Sequence, residues 1–251
     1  VCSSDLIIFI AAGSSTRLGT KTLNFPKGLI KINNNSIIGT QLELFNKSDD
    51  IVIITGPNAD KFNFKNVTYI NDTNHKKHDV LGSLMVAKSH MNNEIVTTYS
   101  DIIFDEKILN SIMEFKGDIG IAVELNWEKR YINRDQHPKS EADNVIIHNG
   151  EILKIKKNIS ESKDDQIIGE FIGLMKLSKE GAKIFKNKYS ELEKTHEGKF
   201  HNAPSLERAY LTDMLQELIN SGLKISPIII NGSWCEIDTP QDIEIAKKNF
   251  K

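Results

Sequence analysis

The stretch FIAAGSSTRLGTKTLNFPKGLIKI, Phe9 to Ile32, opens and closes on strand-like apolar residues and places small, hydroxyl-bearing and basic residues between them. A strand that ends in Ala11-Ala12-Gly13 and runs into Ser14, Ser15 and Thr16 exposes backbone N–H groups behind side chains too small to block a ligand, which makes an anion cradle. Arg17 and Lys27 lie on a loop that must fold back over the strand's carboxyl end, so the two cations can clamp a polyphosphate from opposite sides. Pro26 fixes the backbone just before the lysine. The plainer reading is a surface loop with two solvated cations. Other phosphate loops fit poorly, because neither the glycine-lysine-hydroxyl ending of a P-loop nor the three-glycine dinucleotide fingerprint is present. Further on, Asp101 in YSDIIFD follows the run EIVTTY and falls at the carboxyl end of a strand, where α/β sheets bind ligands.

Elements of a particular kind must position these residues. Strand-length runs LIIFIAA, IVIITG, EIVTTY, IGIAV and KISPIII alternate with helix-period segments, which predicts a mainly parallel sheet covered by helices. Ser36 caps a predicted helix burying Ile38, Leu42 and Phe45, and Asp79 caps one burying Val80, Leu84, Ala87 and Met91. Asp105 opens a third, with Ile108, Ile112 and Met113, and Ser178 a fourth, with Ala182, Phe185, Tyr189 and Leu192. A fifth runs near Leu206 to Asn220 and ends at Gly222, and Thr239-Pro240 starts the last. In the second half NVIIHNGEILKIKKN reads as an antiparallel hairpin turning at Asn149-Gly150. Ser160 to Gln166 and Glu193 to Pro204 read as loops. No stretch reads as a linker, so one α/β domain over residues 1–251 is expected.

Bulk properties exclude several classes. A formal net charge of -2 gives no global case for nucleic acid or an anionic membrane as partner. The longest apolar run, about seven residues around Leu6 to Ala12, is far below the roughly 18 of a membrane span, and no signal peptide is visible. Two cysteines, Cys2 and Cys235, make no disulfide framework and suit a reducing cytoplasm. The opening VCSSDL resembles a translated sequencing adapter, so residues 1–5 are expected to be non-native, with room for a lost upstream domain.

AAGSSTRLGTKTLNFPKGLIKI resembles the signature of the nucleotidyltransferases that attach a nucleoside monophosphate to a sugar phosphate, phosphocholine or phosphonate. Their pattern is A-A-G-x-G-[ST]-R-[LM] with Pro-Lys about ten residues later. Ser15 stands where many members carry a second glycine, a departure shared with related enzymes of molybdenum-cofactor assembly. WCEIDTPQDIEIA resembles the family's closing motif. The resemblance implies a Rossmann-like, three-layer, glycosyltransferase-A-like α/β fold with a mixed, mainly parallel sheet, nucleotide-binding over about 6–115 and acceptor-binding over about 116–251. It implies Mg²⁺ held by Asp101 and Asp238, with Arg17 and Lys27 as the other catalytic residues. The nucleotide would lie on Ala11, Ala12, Gly13, Ser14, Ser15, Thr16, Arg17 and Lys27, and on Gly82 and Ser83 in DVLGSLMVAKS, whose helix start favours an anion.

SDIIFD, GEFIGLMKLSKEGA and SWCEIDTPQDIEIA resemble one branch in particular, the cytidylyltransferases that activate 2-aminoethylphosphonate, some fused to phosphoenolpyruvate mutases, with phosphocholine cytidylyltransferases as neighbours. This implies CTP and a small phosphonate or phospho-alcohol as partners, release of pyrophosphate, and fusion to or cooperation with a phosphonate-pathway enzyme. Lys157 matches a family lysine near the acceptor phosphate, or belongs to a solvated face. Glu170 is the candidate for an acceptor ammonium, or an exposed strand-end carboxylate. Arg130, Arg134 and His137 suit a second anionic group, or form a surface loop. Trp127, Tyr131, Phe171 and Trp234 could cage a quaternary ammonium, although aromatics beside strands are more often core. His75 and His78 lack further ligands for a transition metal. The rival readings are a sugar-1-phosphate nucleotidyltransferase using UTP or dTTP and a non-catalytic nucleotide-binding module.

Overall fold

A computed structural model describes residues 5–13, 18–19, 25–46 and 49–250. In chain order its first elements are β1 (Leu6–Ala11), β2 (Lys31–Ile32), β3 (Asn35–Ser36), α1 (Ile37–Leu42), β4 (Asp50–Thr55), β5 (Thr68–Asn71) and α2 (Val80–Met85). There follow β6 (Ile95–Tyr99), β7 (Ile102–Phe104), α3 (Glu106–Glu114), β8 (Ile119–Glu124), β9 (Asp143–His148) and β10 (Glu151–Lys157). The chain closes with β11 (Ile167–Leu177), α4 (Lys179–Thr195), α5 (Leu211–Asn220), β12 (Ser226–Ile229), β13 (Trp234–Glu236) and α6 (Pro240–Asn249).

All six residues of β1 are buried, and their alternation explains the layers. Leu6, Ile8 and Ile10 enter one core with the apolar faces of α2, α4 and α5, while Ile7, Phe9 and Ala11 enter another with α1 and α3. A strand apolar on both faces needs a helical layer on each side. The main sheet runs β10-β9-β11-β6-β1-β4-β5, with β8 joining β11 to β12. Its first half is parallel through β6, β1, β4 and β5. Its second half turns antiparallel, because β11 runs against β6, β8 and β9. Asn149 and Gly150 turn the predicted hairpin with φ of 50° and 77°. That hairpin extends the main sheet through β9 and β11.

The sequence reading assigns no strand to β11, although it spans eleven residues. Phe171 pairs with Val123 but Met175 with Ile121, so β11 carries an irregularity between them. Gly173 sits in that bulge at φ 87°, and a Cβ there would meet the Tyr99 ring at 2.4 Å. Only a residue without a side chain lets one strand bend from β6 toward β9.

Ser36, Asp105, Ser178 and Thr239 each accept a hydrogen bond from the N–H three residues on, as predicted. Asp79 makes no such bond, and α2 stops at Met85. Ala87 and Met91 are nevertheless buried in the turns that follow. The fifth helix begins at Leu211, five residues after the expected start, because the carbonyls of Glu207 and Ala209 accept from Asp79 and Leu81. The fourth continues to Thr195, into the segment read as loop. Among the described residues no helix is long and apolar enough to cross a membrane.

Candidate active site

A cavity of about 680 Å³ opens over the carboxyl ends of β1, β4 and β6. Lys27 reaches it from a 3-10 turn, Lys27–Leu29, that follows the extended Pro26. A Cβ on Gly28 would fall 2.5 Å from the Ile38 side chain and 3.1 Å from the Ser100 carbonyl, so the bare backbone is what brings this turn down onto the end of β6. Asp101 lies in the turn between β6 and β7. Buried Gln41 holds that turn, donating to the carbonyls of Tyr99 (3.0 Å) and Ile102 (2.6 Å) while accepting from Thr98 Oγ1 (2.8 Å). Asp238 arrives from the far end of the chain. β13 pairs antiparallel with β7, and the Ile237 N–H donates to the Asp101 carbonyl at 2.8 Å, which sews the two aspartates together.

The Lys27 ammonium bridges them, donating to Asp101 Oδ2 at 2.7 Å and to Asp238 Oδ1. Burial works against the charge, but Asp101, Asp238 and Glu236 outweigh it and hold the lysine above its ordinary range. Burial and the Asp238 carboxylate push Glu236 up to about 7. His137 is buried with its ring nitrogens 3.3 Å from Asp238 Oδ2 and 3.5 Å from Glu236 Oε2. Asp101 Oδ1 is shut off from water and accepts no hydrogen bond among the described residues. Carboxylate oxygens side by side are the hard donors that Mg²⁺ prefers, so Asp101 and Asp238 fit the expected ion. His137, Glu236 and Asp238 offer ligand atoms within 4.8 Å of one another.

A second stretch of wall comes from the hairpin and the segment before α5. Asp143 and Lys157 stand opposite one another across β9 and β10, and both line the cavity with Tyr210. Burial pushes the Asp143 carboxyl up to about 6 against the pull of Lys157, and among the described residues its Oδ1 accepts no hydrogen bond. The Lys157 ammonium is 3.0 Å from Glu141 Oε2 and 5.6 Å from the centre of the Tyr210 ring.

Of the residues singled out by sequence, Ala11, Gly13, Lys27, Ser83, Asp101, Lys157 and Asp238 line the cavity. Ala12 backs onto Gly56, and Gly82 faces the Glu207 carbonyl. Ser14, Ser15, Thr16, Arg17 and Cys2 lie outside the described residues. Arg134 is buried, neither on a surface loop nor on the described cavity wall. Its Nε donates to Asp242 Oδ1 at 2.6 Å and its terminal nitrogen to the Glu236 carbonyl at 3.1 Å, so it braces the end of β13, from which the chain runs on to Asp238. Arg130 pairs with Glu124 at 3.0 Å. Glu170 is not an exposed strand end either: it is buried, accepts from the Tyr131 hydroxyl, and is pushed up to about 8 by burial. Trp127, Phe171 and Trp234 are core residues and form no cage. The rings of His75 and His78 both turn to Asp72.

Sequence reasoning missed Glu236, Asp143 and Asp72. The first had a signal, since Glu236 is a carboxylate only two residues before Asp238 in the same short stretch. Asp143 is hidden by an irregularity between Ile152 and Lys154 that shifts the hairpin register by one.

The C. jejuni (subsp. jejuni serotype O:2, strain ATCC 700819 / NCTC 11168) CTP:phosphoglutamine cytidylyltransferase is 25% identical to this chain, covering 95% of it and 97% of that protein. The bifunctional protein GlmU of Methanococcus maripaludis is 24% identical over 97% of this chain and 54% of its own length, so the chain spans about half of that relative. The CTP:phosphocholine cytidylyltransferase structure from Streptococcus pneumoniae superimposes with a TM-score of 0.73 at 19% identity, over 99% of this chain and 100% of that one, which shows a shared fold. The profile of the MobA-like NTP transferase domain matches residues 7–139, more than half of the chain and all of its parallel half. On that match the protein belongs to the family of MobA-like NTP transferase domains and is a nucleotidyltransferase.

Proposed function

We propose that the protein transfers CMP from CTP to a small phosphonate or phospho-alcohol carrying a cationic amine, with 2-aminoethylphosphonate favoured and phosphocholine next, and that the reaction depends on Mg²⁺. The observation that carries this reading is the pairing of Asp143 with Lys157 on the wall of the cavity that holds Lys27, Asp101 and Asp238. One carboxylate and one ammonium, side by side, match the two ends of an aminated phospho-acceptor. This moves the ammonium partner from Glu170, which is buried against Tyr131, to Asp143.

In this reading an acceptor oxygen attacks the α-phosphorus of CTP, the bond to the β-phosphate breaks, and pyrophosphate leaves. Each pair of like unit charges brought to 4 Å costs about 4 kcal/mol at an effective dielectric near 20. Lys27 offsets that cost as a permanent cation, because the surrounding carboxylates keep it protonated. Mg²⁺ held by Asp101 and Asp238 would supply further neutralisation between the acceptor and the α-phosphate. No general base is required, since the acceptor is already ionised at neutral pH. Lys157 orients the acceptor phosphate, and Asp143 accepts from the ammonium of 2-aminoethylphosphonate or faces the quaternary cation of phosphocholine, which has no N–H to give.

The test is pyrophosphate release with CTP and Mg²⁺ across 2-aminoethylphosphonate, phosphocholine, phosphoethanolamine and phosphoglutamine, the last because the C. jejuni relative is named for it. A preference for an aminated acceptor that Asp143→Asn weakens through KM supports the reading. Preference for UTP with a sugar phosphate overturns it.

A further inference from the structure

We infer that Arg134 is a positioning residue that acts through the Asp242 carboxylate to fix Asp238, an inference that rests on the Mg²⁺-dependent transfer proposed above. Asp238 lies between β13 and α6, outside any strand or helix. Two successive N–H groups hold it instead. Ile237 donates to the Asp101 carbonyl at 2.8 Å, and Asp238 itself donates to Asp242 Oδ2 at 3.0 Å. The same oxygen accepts from the Thr239 N–H (2.8 Å) and the Thr239 hydroxyl (2.9 Å). Asp242 is 0% exposed, so water does not compete for these bonds.

One oxygen of Asp242 thus serves the turn that carries Asp238, and the other faces Arg134. Arg134 Nε donates to Asp242 Oδ1 at 2.6 Å, while a terminal nitrogen of the same guanidinium donates to the Glu236 carbonyl at 3.1 Å. A planar fork serves two acceptors in one fixed geometry, and here the two flank Asp238 in sequence. With Oδ1 released, the Asp242 side chain turns about its Cβ–Cγ bond, a broad torsion, and Oδ2 moves off the Asp238 N–H.

The arginine is itself delivered with care, from a segment 108 residues before Asp242. Asn133 takes a φ of 62°, and its carbonyl accepts from Gln241 Nε2 at 2.8 Å, while the Gln136 N–H donates to Gln241 Oε1 at 3.3 Å. Gln241 therefore clips the chain on both sides of Arg134 onto the first turn of α6. The guanidinium also lies 5.4 Å from the centre of the Tyr131 ring, whose hydroxyl is tied to Glu170. A cation that sequence alone suits to an anionic substrate group instead has its fork committed to the turn behind Asp238. A partner placed this way tunes metal affinity without touching the ion or the substrate.

The test titrates Mn²⁺, which takes the same oxygen donors as Mg²⁺ and is read by electron paramagnetic resonance, into nucleotide-free wild type, Arg134→Lys and Asp242→Asn. Lysine keeps the charge and loses the fork. Asparagine keeps an oxygen for the Asp238 and Thr239 N–H groups and turns an amide toward Arg134, so it carries the test where Arg134→Lys loses the fold. Each variant is expected to bind Mn²⁺ about tenfold more weakly and to lower kcat while leaving the acceptor KM unchanged. In an Asp238→Asn background Arg134→Lys should change kcat by no more than about twofold, because the residue it positions is already altered. A role confined to folding lowers the urea midpoint and leaves the Mn²⁺ affinity of the folded protein intact. That result in either variant, or a kcat loss undiminished in the Asp238→Asn background, overturns the inference. A wild type that binds Mn²⁺ yet transfers nothing to any acceptor overturns cytidylyl transfer instead, and the Mn²⁺ affinities decide the role of Arg134. A wild type that transfers without metal overturns the Mg²⁺ dependence, and the kcat values in the two backgrounds decide it.

Discussion

Lys27 is the pivot of the charge balance, since one ammonium answers carboxylates from two distant parts of the chain. Asp101→Asn and Asp238→Asn are each expected to lower kcat by a factor on the order of 10³ in a pyrophosphate-release assay, with a far-UV spectrum like that of the wild type. Glu170 gives a prediction about stability. Folded, it keeps its proton up to about 8; unfolded, it releases it near 4.5. Between those values the folded state binds more protons, so stability is full below the lower pKa, falls as pH rises through the window, and levels off above it. Glu170→Gln should therefore flatten the profile and gain about 4 kcal/mol on the wild type at pH 8.5 relative to pH 5, measured by urea unfolding. Residues of this scale divide sharply in legibility. Lys27, Asp101 and Asp238 sit in recognisable stretches and could be named beforehand. Asp72 could not, because its role exists only once β5 and α2 bring Asn74, His78 and Ser83 around it.

At the scale of elements, the site depends on a turn and a bulge more than on any helix. Gln41 in α1 holds the turn that presents Asp101 through three hydrogen bonds. Gln41→Leu leaves the Thr98 hydroxyl and two carbonyls short of partners, so it should lower stability by about 1–3 kcal/mol and lower kcat as Asp101 loosens, read by urea midpoint and initial rates. Most strands were legible because an Ile/Val-rich run of strand length has few other uses. β11 was not, since Gly169 and Gly173 interrupt it and it lies buried along much of its length, which erases the alternation that marks a strand. The start of α5 was misplaced for a related reason. Leu206 and Ala209 carry helical spacing, but the neighbouring carbonyls are taken by α2, and tertiary hydrogen bonding overrides local pattern.

For the molecule as a whole, the cavity draws one wall from the parallel half and another from the hairpin and the strand that carries Glu236. A ligand that spans both walls should stabilise the fold against global unfolding. CTP with Mg²⁺ at 100 times its dissociation constant contributes about 2.7 kcal/mol, a rise of roughly 5–10 °C for a chain of this size by scanning fluorimetry. Chelating the metal should remove most of that rise. The fold class was legible at this scale, since alternating strands and helices admit few architectures. The meeting of Lys27 with Asp238 across 211 residues has a consequence in time. At about 5–20 residues per second, a ribosome takes roughly 10–40 s to travel from the codon of the lysine to that of the aspartate. From the codon of Asp101 onward the nascent chain carries one aspartate of the pair, but not β13, which brings Asp238 beside it. A chain that stalls or is clipped before Trp234 leaves Lys27 and Asp101 without Asp238, and is expected to show no turnover in a pyrophosphate-release assay.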